Sequence, residues 1–429
     1  MLESYFGLHK NGTTVRTEII AGFTTFLTMA YIMFVNPSIL AEAGMDRGAV
    51  FVATCIASAI GTLVMALYAN YPLALAPGMG LNAYFTYGVV LGMHYSWQVA
   101  LGAVFISGVL FLILSVTHVR ELIVDAIPTS QRMAISAGIG LFLGIIALKN
   151  AGIVVASPAT FVTLGNLKAA PTLLAIAGFF VMVALDARRV PGAIIIAILA
   201  TTAVGIATGV SGFAGVFALP PSLAPTFLAM DVRGALDLGL IAIIFAFLFV
   251  DLFDNTGTLV GVAHRAGLIA PDGRIPRLGR AFIADSTATM AGAVLGTSTV
   301  TSYIESAAGV KAGGRTGLVG VVVAILFLVA LFLSPLAATV PGYATAPALL
   351  FVACLMTRGL VEVDWEDVTE YAPAVVTAIA MPLTFSIANG IAFGFITYAA
   401  IKLLAGRFGE VRLGLIVLAA LFIVKFGVL

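Results

Sequence analysis

STVTSYIESAAGVKAGGRTG (residues 298–317) sets hydroxyl-bearing and β-branched residues in alternation, then a glutamate, then a run of small residues. The alternation predicts a short extended piece, and the small residues predict a half-helix behind it. Both lie in a chain of 429 residues that is 61% hydrophobic and 10% charged, with mean hydropathy +1.13. Soluble domains carry about a quarter charged residues, so the composition places this chain in a bilayer. There, an extended backbone and a carboxylate each need a reason. Irregular backbone at membrane depth persists only where protein or a water-filled cavity satisfies it.

LALAPGMGLNAYF (73–85) breaks in the same manner, with Pro77, Gly78 and Gly80 ahead of Asn82. A pair of interrupted segments at matching places in two halves of a membrane chain points to a transporter's binding site. The spacing supports the match. Asn82 and Glu305 are 223 residues apart, and the same step back from Asp254 lands on Tyr31.

Working outward, apolar runs predict spans near 18–40, 49–69, 73–92, 97–117, 129–149, 171–187, 191–209, 239–262, 279–296, 299–311, 313–334, 341–358, 373–404 and 411–428. With both termini cytoplasmic, about twice as many Lys and Arg fall inside as outside, as the positive-inside bias requires. Arg265, Arg274, Arg277 and Arg280 mark one cytoplasmic loop. The stretch 373–404 is long for one span, and Pro382 and Gly390 allow either one kinked helix or two short ones. Two full crossings there would put the C-terminus outside. Seven spans per half, an odd number, would invert the second half relative to the first. The polar interruptions at 263–278 and 359–370 are too short to bury a core of their own.

Several function classes fall away. A net charge of +1 gives no sign of nucleic acid as a partner. Cys55 and Cys354 sit in apolar runs and read as small buried side chains. His9, His94, His118 and His264 lie near segment ends or in loops. No nucleophile–base pair, metal-ligand set or cofactor motif accompanies them, so neither an enzyme nor a bound metal or cofactor is expected.

Four acids lie deep in the spans: Asp251, Asp254, Asp285 and Glu305, with no Lys or Arg comparably deep. Each would cost roughly 2.5–3.5 kcal/mol if it faced lipid at a helix centre, so such residues line an interior path. Carboxylates without a cationic partner take up protons and repel anions. The site is therefore expected to handle protons or sodium with a neutral or cationic solute. Asp254 and Glu305 are the candidates to grip it, with Asn82 at the other break. Phe26, Phe85 and Phe253 read first as packing, with Phe85 and Phe253 kept as candidate aromatic walls, and Asp285 is a candidate proton relay. Asp251 reads first as a hydrogen-bonding partner between helices.

The segments AGFTTFLTMAYIMFVNP (21–37), APGMGLNAYF (76–85), VDLFDNTGTLVGVA (250–263) and TSTVTSYIESAAGVKAGGRTGL (297–318) resemble the AzgA-like purine permeases. These form a branch of the nucleobase–cation symporters that also includes the uracil permeases. The likeness runs over essentially the whole chain. It implies an all-α polytopic membrane protein of 14 transmembrane segments in two inverted repeats of seven, with short strands in segments 3 and 10. It implies a core domain of 1–117 and 239–334 and a gate domain of 118–238 and 335–429. Asp254 of DNTG and Glu305 of YIESAAG would hold the base, with Tyr303 lining the site and Asn82 of GLNAYF nearby. The uracil branch carries a histidine where this chain has Thr258, which counts against uracil. The resemblance implies proton-coupled import of adenine, guanine or hypoxanthine across the cytoplasmic membrane. The coupled proton would fall on Glu305, Asp254 or Asp285. The gate surface could support a homodimer.

A purine edge suits these side chains, because a carboxylate accepts two N–H bonds side by side. The rival readings are an anion transporter or exchanger of the same fold, which buried acids disfavour, and a cation channel lined by carboxylates.

Overall fold

The structure, a computed structural model, describes residues 2–117, 127–237, 240–268 and 275–428. Arg274 and His118 lie outside the described residues. Among those described, nine helical stretches are long and apolar enough to cross a membrane, beginning with Val15–Glu42 and Arg47–Ala69 and including Thr129–Asn150 and Ile241–Arg265. Local chemistry sets several of their ends. Thr14 accepts from the N–H of Thr17, Asp46 from that of Ala49 and Ser386 from that of Asn389, so three runs start on side-chain caps. The first stretch is interrupted. Helix Val15–Met29 gives way to helix Ile32–Glu42 across Ala30 and Tyr31, with Pro37 inside the second piece.

Strand β1 (Leu75–Pro77) and strand β4 (Val300–Ser302) pair antiparallel, with Leu75 opposite Ser302 and Pro77 opposite Val300. Pro77 has no N–H to give, and the ladder continues through Gly78 N to Thr299 O at 2.9 Å. A Cβ on Gly78 would lie 2.9 Å from Thr301 Cγ2, so only glycine lets the strands approach here. Two short strands leave open edges, and a buried edge group without a partner is costly. Helix side chains fill that need. Thr62 Oγ1 accepts from Leu75 N at 2.9 Å and donates to Leu75 O at 3.1 Å, and Ser306 Oγ accepts from Ala74 N at 3.0 Å. A second two-stranded sheet, the hairpin of β2 (Val154–Ser157) and β3 (Phe161–Leu164), follows helix Thr129–Asn150.

The stretch 373–404, which the sequence leaves open between one kinked helix and two short ones, is two helices. Helix Val368–Thr384 ends at Phe385, whose φ of 49° is left-handed, and helix Ile387–Leu404 starts on the Ser386 cap. The two lie side by side and antiparallel: Gly390 abuts Met381, Gly394 abuts Thr377, and Tyr398 Oη donates to Glu370 Oε1 at 3.1 Å. The glycines permit that close approach. Helix Leu413–Val428 then runs back along Ile387–Leu404, with Phe422 beside Phe395 and Phe426 beside Phe393. Three helices of alternating direction thus stand where two spans were expected. Cys55 is buried as expected, whereas Cys354 is exposed. One buried cluster threads Tyr31, Phe34, Phe85, Phe142, Phe247 and Phe395, joining the first and last parts of the chain.

Candidate functional site

Asp254 lies on helix Ile241–Arg265, and Glu305 opens the short helix Ser306–Lys311 behind β4. Although mid-span, the Asp254 side chain is exposed. Gly257 and His264 are exposed and Gly261 half-buried, continuing its face at helical spacing. A Cβ on Gly257 would meet nothing within 4 Å, and one on Gly261 would meet Ile304 Cδ1 at 3.7 Å. Across from this stripe, Ile304 is 45% exposed, Glu305 and Ala308 are half-buried and Lys311 is exposed. An accessible cleft therefore runs from the two acids to the ends of both helices. The N-terminal segment lies at that end, where Thr13 Oγ1 donates to Gly313 O at 3.4 Å. The cost of a lipid-facing Asp argues that water fills this cleft.

Glu305 is within electrostatic reach of Asp254, and Tyr303 of both. Tyr31 Oη donates to Glu305 Oε1 at 2.6 Å. Tyr303 is 5% exposed, and its hydroxyl donates to Pro77 O at 2.6 Å, which ties it to the strand crossing. Thr258, one turn beyond Asp254, is buried. Phe253 is half-buried and is the last ring of a stack with Phe249 and Phe245 at successive i, i+4 positions. The next position in that series is Gly257, where the space is open.

Other expected residues lie deeper. Asn82 is fully buried, its Oδ1 accepting from the Ser298 hydroxyl while its Nδ2 has no partner. Phe85 is fully buried. Asp251 and Asp285 form a layer behind the cleft. Ser302 Oγ donates to Asp285 Oδ1 at 3.1 Å. The Thr289 hydroxyl lies 3.1 Å from Asp251 Oδ2 and 3.0 Å from Val300 O, and can donate to one of them at a time. Asp285 and Asp251 are both within electrostatic reach of Asp254. Tyr31 was not among the expected site residues. The signal that marks it is the 223-residue step, which pairs it with Asp254.

This arrangement can be set beside known proteins. The family model Xan_ur_permease, the Permease family, matches residues 16–393. The chain belongs to this permease family. The permease is 49% identical to the adenine permease AdeP of Escherichia coli K12 over 99% of this chain and 96% of that one. It is 46% identical to the guanine/hypoxanthine permease PbuG of Bacillus subtilis over 99% of each, and 45% identical to PbuO of the same organism over 99% and 100%. Its fold is shared with two solved transporters. The transmembrane domain of the cyanobacterial bicarbonate transporter BicA matches with TM-score 0.65 at 17% identity, over 89% of this chain and 97% of that one. Murine Slc26a9 matches with TM-score 0.67 at 12% identity, over 91% and 69%. The permease is thus a multi-pass membrane transporter and not an enzyme.

Proposed function

We propose that this permease imports purine nucleobases together with protons, the base being held between Asp254 and Glu305. The observation that carries the reading is two carboxylates facing one accessible cleft within electrostatic reach of each other. The permeases named for adenine and for guanine/hypoxanthine, similar over nearly their whole length, support the purine class. In this reading the base lies flat as the next member of the Phe245–Phe249–Phe253 stack, over Gly257. Asp254 accepts ring N–H groups in plane, Glu305 closes the far edge, and Tyr303 and Thr258 back the site. Asn82 and Phe85 act from behind, holding the strand crossing. Proton coupling runs through Glu305 and Asp254 with Asp285 as relay. A protonated carboxyl donates where its ionised form accepts, so base and proton binding are linked.

The fourteen segments of the two inverted repeats end at Leu404, with strands β1 and β4 in segments 3 and 10, and Leu413–Val428 is an added helix. Residues 1–117 and 239–334 move as the core against a gate of 118–238 and 335–404, in the cytoplasmic membrane. The cleft faces the cytoplasm, the side of the N-terminus and of Arg265, Arg277 and Arg280. The gate surface is the face for a homodimer.

Uptake of radiolabelled adenine, guanine and hypoxanthine into proteoliposomes tests this. An inward proton gradient should drive accumulation above equilibrium. Equal uptake with and without the gradient would remove proton coupling, and no saturable uptake of any of the three would remove the substrate class.

A further inference from the structure

The cleft is open toward the N-terminal face, so a carrier of this kind must be closed at the other. There Glu42, at the end of helix Ile32–Glu42, meets Asn150, at the end of helix Thr129–Asn150. Tyr87 Oη donates to Glu42 Oε1 at 2.8 Å. Asn150 Nδ2 donates to that same oxygen at 3.2 Å and to Tyr87 Oη at 3.0 Å. Lys149 Nζ sits 5.8 Å from the centre of the Tyr87 ring. Both amide hydrogens of Asn150 are thus used, each on a residue from the other part of the chain.

We propose that the Glu42–Tyr87–Asn150 triangle is the outer latch of the permease: it holds core and gate together outside while the site faces inward, and opens when the site faces outward. This rests on the reading of the chain as a core moving against a gate. Three features suit it to repeated opening. The acid's partners are a phenol and an amide, so breaking the contact strands no buried counter-charge. Glu42 is exposed and Asn150 half-buried, so water can replace each bond as it breaks. The surfaces beside the triangle are not closed by packing: a cavity of about 180 Å³ lies there, lined by Ser38, Glu42, Arg47, Asn150, Thr345 and Leu349. Hydrogen bonds, more than shape, keep this end shut. Arg47 adds a second link across the same boundary, donating within the core to Ser38 Oγ at 3.1 Å and across to Val340 O of the gate at 2.8 Å.

The test reads access from outside. In a Cys354→Ser background, Ala41→Cys places a single accessible thiol on the cavity wall, with Cys55 buried. A membrane-impermeant maleimide is applied to intact cells. Loss of hydrogen bonds to a carboxylate shifts such an equilibrium by about tenfold. Glu42→Ala and Asn150→Ala should therefore each label about tenfold faster than the reporter alone, and Tyr87→Phe faster by a smaller factor. Glu42→Gln keeps an oxygen acceptor and should label nearly as slowly as the reporter. Unchanged labelling in Asn150→Ala and Tyr87→Phe, with both proteins at normal level in the membrane, would overturn the latch. So would a Glu42→Gln variant as reactive as Glu42→Ala. If Glu42→Ala does not fold, Asn150→Ala and Tyr87→Phe carry the test. Labelling needs no substrate, so it stands apart from any failure of the purine reading.

Discussion

Tyr31 and Glu305 are 274 residues apart in the chain and joined by a 2.6 Å hydrogen bond. The bond exists because the first membrane stretch breaks at Ala30–Tyr31, which turns the phenol toward the start of helix Ser306–Lys311. Tyr31 occupies Oε1, so in the proposed site Oε2 is the oxygen that would meet the base. A hydrogen bond to an ionised group is worth about 1.5–3 kcal/mol. Tyr31→Phe should therefore weaken purine binding roughly 10- to 100-fold while leaving membrane insertion intact. Binding within threefold of the wild type would mean that Glu305 needs no such support.

Glu305→Gln separates grip from coupling. The amide keeps the shape but cannot gain or lose a proton, so uptake should no longer respond to a pH gradient. Purine uptake by this variant that still rises with the gradient would move the coupled proton to another acid.

Gly257 is predicted to be a substrate contact without being a structural requirement. Alanine fits the open space beside it, so Gly257→Ala should keep the wild-type melting temperature. Gly257→Phe would fill the place of the next stacked ring and should abolish binding. A Gly257→Phe permease that folds and binds purine normally would rule out stacking on Phe253.

At the Ser130 end of helix Val368–Thr384, Asp367 caps its helix. Hydrogen bonds from the Thr369 hydroxyl and backbone, and then the Arg407 guanidinium, hold its carboxyl down at about 2. Unfolded, an aspartate titrates near about 3.9. Its contribution is thus fully present above that value and lost as pH falls from about 4 toward 2. Asp367→Asn should lower the melting temperature at pH 7 and flatten its acid decline below pH 4. An unchanged decline would place the acid sensitivity elsewhere.

Much of the candidate site was legible because charge is rare in this chain. Asp254 and Glu305 stand out among apolar neighbours, and Pro77, Gly78 and the Thr299–Thr301 alternation mark the two places where helix gives way to strand. Tyr31 was hidden because an aromatic in an apolar run reads as packing, and only its partner reveals the hydroxyl's role. The reversal at Phe385 was hidden for another reason. Pro382 and Gly390 flank it, but the left-handed residue itself is a phenylalanine, and helical periodicity is the same for one long helix as for two antiparallel ones. The Glu42–Asn150 contact joins two helix ends, where charged and amide side chains are ordinarily solvated.

The central claim is that Asp254 and Glu305 together hold the base. Equilibrium binding of tritiated adenine and hypoxanthine to the purified permease tests it most directly. The wild type should bind at least one of them saturably, with Asp254→Ala losing binding by 100-fold or more, on the order of 3 kcal/mol. An Asp254→Ala protein that is monodisperse and binds the base as tightly as the wild type would contradict the account.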